Sequence, residues 1–94
     1  MLYAIVSEDV PDSAARRKDA RSAHLARIEA LHQEGRLVIA GPHPAPEGDG
    51  VTGSLIVADF KDDDSARQWA DADPFVAAGV YAKVTVKPFK QVLP

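Results

Sequence analysis

The chain has 94 residues and a mass of 10.1 kDa, enough for one domain with one modest core. Apolar residues make up 46% and charged residues 27%, which excludes a disordered chain, and no apolar run approaches the ~20 residues of a membrane span. A net charge of −3 gives no global positive field for nucleic acid, and the absence of cysteine removes disulfides, thiolate zinc sites and a cysteine nucleophile.

The opening MLYAIVSEDV lacks a basic n-region and reads as a strand, so the expectation is a cytoplasmic protein without a secretion signal. Residues 2–7 (LYAIVS) are β-rich, and residues 8–13 carry turn and cap signals. Asp12 or Ser13 is placed to cap a helix from Ala14 to about Glu34, which Gly35 stops. Residues 37–40 (LVIA) form a second strand closed by Gly41-Pro42, and residues 43–50 (HPAPEGDG) form a loop. Residues 51–60 make a third strand. Asp62, Asp63 and Asp64 follow, where a helix N-terminus favours negative charge. That second helix ends near Asp73, because a residue before proline avoids helical angles. A loop over 74–79 leads to a fourth strand over 81–89.

The order βαββαβ predicts an α+β fold of ferredoxin-like arrangement, an antiparallel sheet with both helices on one face, and residues 1–94 read as a single domain. Strands one and three are apolar on both faces: Leu2, Ala4 and Val6 alternate with Tyr3 and Ile5, and Leu55 and Val57 with Ile56 and Ala58. A sheet with helices on one side needs only one apolar face, so the surplus predicts a homodimer. The fourth strand dissents in part, since Lys83, Thr85 and Lys87 share a face.

On the first helix, Leu25, Ile28 and Leu31 define an inward stripe at 100° per residue. Arg17, His24 and Arg21 fall within ~40° of its centre, where a helix that only packs carries alanine or leucine. On the second helix Ala66, Trp69 and Ala70 follow the i, i+3, i+4 rule, and Asp73 is the next inward member. The ferredoxin-like topology brings the end of the second helix beside the start of the first, so Asp73 approaches His24 or Arg21. A histidine with a carboxylate partner gains a fixed tautomer and moves protons near neutral pH, and an arginine beside it holds a carboxylate or enolate. The same pairing also occurs where the two groups do no more than satisfy each other in the core.

Seven short segments in register carry a resemblance. They are Arg21-Ser22-Ala23-His24-Leu25, Glu34-Gly35-Arg36-Leu37, Ala40-Gly41-Pro42, Thr52-Gly53-Ser54, Ala70-Asp71-Ala72-Asp73-Pro74-Phe75, Ala77-Ala78-Gly79-Val80 and Val86-Lys87-Pro88-Phe89. Together they cover nearly the whole chain and resemble the YciI-like (YCII-related) family. The resemblance implies a dimeric α/β barrel and a His–Asp active site, near muconolactone isomerase-like proteins and a dehydrochlorinase of chlorinated hydroquinones. Carried over by position, the family's histidine is His24 and the aspartate of its Asp-Pro motif is Asp73. Gly41-Pro42 and Gly53-Ser54 match positions bordering the cavity, where Ser54 is a candidate pocket hydroxyl. Asp9 is an alternative carboxylate for His24.

The three histidines, His24, His32 and His43, are too scattered for a metal site, and Asp62, Asp63 and Asp64 read as helix capping. Arg16-Arg17-Lys18 reads as a solvated helix turn with Arg17 partly inward, Trp69 as a core anchor and residues 43–50 as a variable loop. No nucleotide-binding loop is present, and no cofactor is expected. The leading expectation is a lyase- or isomerase-type enzyme acting on a small anionic or aromatic substrate: His24 moves the proton, Asp73 orients it, and Arg21, with Ser54 and Asp9 nearby, binds the substrate. The alternatives are a non-catalytic small-acid binding or accessory module with the same pocket, and a structural dimer whose His–Asp pair only holds the fold.

Overall fold

The computed structural model covers residues 1–94 and builds four strands and three helices. In chain order they are β1 (Leu2–Asp9), α1 (Ala14–Gln33), β2 (Leu37–Pro44), β3 (Val51–Asp59), α2 (Asp63–Asp71), α3 (Pro74–Ala77) and β4 (Tyr81–Phe89). The sheet order is β2-β3-β1-β4, every neighbouring pair is antiparallel, and the helices cover one face, which is the ferredoxin-like α+β arrangement. No helix is long and apolar enough to cross a membrane.

Period-two alternation decides what each strand offers the helices. On β1, Tyr3, Ile5 and Ser7 are buried, and they pair across to Ala58, Ile56 and Ser54 of β3. One end of this layer is hydrocarbon: Tyr3, Ile5, Ile56, Ala58 and Phe60 pack with Leu31 of α1 and Ala66 and Ala70 of α2. Towards the other end the same layer turns polar, with Ser7 and Ser54 buried opposite each other. The core therefore sits under the C-terminal half of α1, and the polar end lies under its N-terminal half.

Two segments differ from the reading of the sequence. The second strand continues past Gly41-Pro42 to Pro44, with Pro42 opposite Ser54 and His43 opposite Gly53, so the loop shrinks and closes by Ala45 N–H donating to Gly50 C=O. A proline lacks the N–H a ladder needs, but β2 is an edge strand and tolerates it. The stretch after Asp73 holds a helical turn rather than a loop. Pro74 ends α2, and its fixed φ also suits the first position of α3, which Asp73 caps.

Caps set the other helix ends. Asp62 caps α2, its carboxylate accepting from Ser65 N–H at 2.8 Å. Ser13 occupies the cap position of α1 but donates its hydroxyl to Asp9 instead. Gly53 is required by packing, since a Cβ there collides with the carbonyl oxygen of Ser7 on the adjacent strand.

Candidate active site

The inward line of α1 runs Ser13, Arg17, Ala20, His24, Ile28 and Leu31, with Arg21 and Leu25 on the exposed flank. The stripe is thus rotated from the one the sequence predicts, because the side towards β2 is not filled. A cavity of about 340 Å³ occupies that space. Its polar wall is Arg17, Arg21, His24 and Ser54, its apolar wall includes Leu25, Ile28, Ile56 and Phe75, and no carboxylate lines it.

His24 and Asp73 meet beside this cavity. The imidazole Nδ1 lies 2.8 Å from Asp73 Oδ1 and 3.0 Å from Oδ2, with both side chains buried. Asp73 Oδ1 also accepts from the backbone N–H of Phe75 at 2.9 Å, so the cap of α3 and the histidine partner are one carboxylate. An ionised carboxylate only accepts, which assigns the proton to Nδ1 and leaves Nε2, which has no protein partner, as the acceptor nitrogen. Phe75 stacks flat on the imidazole, with centroids 3.8 Å apart and planes 12° from parallel. The Asp73-Pro74-Phe75 turn therefore grips the ring at its edge and on its face.

Asp9 lies elsewhere. Its buried carboxylate takes Arg17 bidentately, Nε at 2.6 Å and Nη2 at 2.9 Å, together with the Ser13 hydroxyl at 2.5 Å. It does not line the cavity, and of the two carboxylates named for His24 only Asp73 reaches it. Arg17 continues from that pair to Gly53 C=O at 3.2 Å and Ser54 Oγ at 3.0 Å. Ser54 Oγ also accepts from the Tyr81 hydroxyl at 3.2 Å. Burial pushes the Tyr81 phenol up from its ordinary value, so it stays a protonated donor at neutral pH. Arg21, at the cavity rim, forms no ion pair within the chain.

Three parts of this constellation escape sequence reasoning. Phe75 reads as a loop aromatic, although its place two residues after the candidate aspartate is a signal for α3. Tyr81 reads as the first residue of a strand. The Arg17–Asp9 pair needs the path of the β1–α1 connection, which helical angles do not contain. The cluster offers no group of three or more histidines, aspartates or glutamates suited to a metal.

The fold and the buried His–Asp pair beside a cavity place the chain among ferredoxin-like α+β proteins with a pocket between sheet and helices. The YCII-related domain model matches residues 1–90, and the chain belongs to that family. Protein YciI of Escherichia coli O6:H1 is 54% identical over 97 residues, covering 98% of this chain and 99% of that protein. The chain is also similar to the 5-chloro-2-hydroxyhydroquinone dehydrochlorinase of Burkholderia phenoliruptrix, solved with 2,5-dihydroxybenzoquinone. That match has TM-score 0.85 and 30% identity, and covers 96% of this chain and 94% of that one. SnoaB, a cofactor-independent oxygenase from Streptomyces nogalater, shares the fold at TM-score 0.57 and 13% identity, covering 99% and 96%. Proteins of this fold thus include enzymes that act on small molecules.

Proposed function

We propose that the cavity is the active site of a small-molecule enzyme of the lyase or isomerase type, with His24 as its acid–base group. The carrying observation is that Asp73 holds Nδ1 while Nε2 stays free beside a cavity. In the reaction, Nε2 takes a proton from a carbon next to a carbonyl, and the C–H bonding pair moves into the C=C of an enolate while the carbonyl pair moves onto oxygen. The imidazolium that forms is stabilised by Asp73. Return of the proton to another atom gives an isomerase; departure of a leaving group with the electron pair gives a lyase. Arg21 supplies the positive charge for the anionic end, and Ser54 a pocket hydroxyl. Asp9 contributes by holding Arg17. The dehydrochlorinase, whose bound ligand carries carbonyl and hydroxyl oxygens on one small ring, supports a substrate of this kind.

We also propose that the protein works as a homodimer through the outer sheet face, which Val6 and Leu55 share with the exposed Ile39 and Phe89.

Deuterium uptake from solvent into enolisable carbonyl compounds, followed by proton NMR, tests the acid–base reading. Bound compounds should exchange faster with the protein than in buffer, and His24→Asn should remove on the order of 10²-fold of that acceleration. Binding without acceleration would instead favour a small-acid binding module.

A further inference from the structure

Two side chains reach Ser54 Oγ, Arg17 at 3.0 Å and Tyr81 at 3.2 Å. Arg17 is a donor under all conditions, and its Nη2 occupies one lone pair of Ser54 Oγ. Tyr81, kept protonated, donates into the other. A hydroxyl that accepts twice has only its hydrogen left, and Ser54 is a buried residue lining the cavity. The hydrogen is therefore offered to whatever enters.

Charge divides the remaining polar wall. Arg17 is neutralised by the bidentate Asp9 carboxylate, so it polarises Ser54 but adds no net charge. His24 is paired with the buried Asp73 carboxylate. Arg21 has no counter-ion and is the one uncompensated cation on the wall. The rest is hydrocarbon from Leu25, Ile28, Ile56 and Phe75.

From this wall we infer the substrate class: an anionic keto compound with an apolar arm, its charge on Arg21 and its carbonyl oxygen on the Ser54 hydroxyl. The Ser54–Arg17–Tyr81 cluster is then the oxyanion site, where negative charge collects as Nε2 removes the neighbouring proton. The assignment rests on the acid–base reading of the same cavity. Arg17, Asp9 and Tyr81 are positioning residues that aim one hydroxyl.

Phenylpyruvate combines all three features, 3-phenylpropionate lacks the ketone, and phenylacetone lacks the charge. Calorimetric titration of the intact protein with these probes should give phenylpyruvate the highest affinity, by about tenfold over each of the others. Ser54→Ala should abolish the preference over 3-phenylpropionate and leave the preference over phenylacetone. Arg21→Gln should do the reverse. Circular dichroism confirms that both variants fold, and Ser54→Thr, which keeps the hydroxyl, should restore the ketone preference. Preferences unchanged in the variants, or no binding of phenylpyruvate, would overturn the assignment. His24→Asn separates it from the reading beneath it: retained preferences with lost deuterium exchange uphold both, and retained preferences with retained exchange sink only the role of His24.

Discussion

Asp73 carries two bonds at once, one to the imidazole and one to the first turn of α3. Asp73→Ala leaves the Nδ1–H and the Phe75 N–H buried without acceptors, and should lower stability by about 3 kcal/mol in urea unfolding. Asp73→Asn keeps the shape but offers one accepting oxygen, so it should fold while losing most of the proton-transfer rate. Comparable losses of stability and of rate in both variants would indicate a purely structural pair. Tyr81 makes a separate prediction. Its phenol is raised chiefly by desolvation, so its folded value lies above its unfolded one. The stability it contributes is full at neutral pH, persists below the ordinary tyrosine value, and is lost as pH rises through the folded value. Burial raises Tyr3 as well, so an ultraviolet difference titration should show both tyrosines ionising late, and Tyr81→Phe should remove one of the two steps.

At the scale of elements, α2 and β3 are the most exposed to single changes. The Asp62 carboxylate is held below its usual range first by the Ser65 N–H and second by the Ser65 side chain. A depressed folded value stabilises the protein above the ordinary carboxylate value, and that share fades as pH falls through the folded one. Asp62→Ala should therefore lower Tm at neutral pH, and the gap to the parent protein should close in acid. Gly53→Ala drives a methyl group into the Ser7 carbonyl and disturbs the Gly53 oxygen that Arg17 uses, so it should weaken both the β1–β3 ladder and the cavity. The order of strands and helices was legible because hydrophobic period, caps and glycines agreed along the chain. His24 and Asp73 were legible for the opposite reason, as polar residues at positions that packing alone gives to carbon. Which of Arg17 and Arg21 points inward was not legible. Both fall within the angular width of one stripe, and the choice is made by Asp9, whose carboxylate captures Arg17. The proline that ends α2 also hid the start of α3, because one residue serves both functions.

For the molecule as a whole, surface area argues for a partner. A folded chain of 10.1 kDa is expected to expose ~5,300 Å², whereas this one exposes 6094 Å². The excess of roughly 800 Å² is what one side of a standard interface buries. It includes the outer sheet face, with Ile39 and Phe89, and the exposed C-terminal Val92 and Leu93. Sedimentation equilibrium at micromolar concentration should give twice the chain mass, and Leu55→Asp, at the centre of that face, should halve it. A parent protein that sediments as a single chain would remove the dimer from the account.

The long-range proton–nitrogen NMR spectrum of the histidines, recorded where imidazole is neutral, reads the central claim most directly. His24 should appear as the Nδ1–H tautomer with a bare Nε2, unlike the exposed His32 and His43, and Asp73→Ala should abolish that difference. A His24 that carries its proton on Nε2, or that is indistinguishable from the two exposed rings, would contradict it.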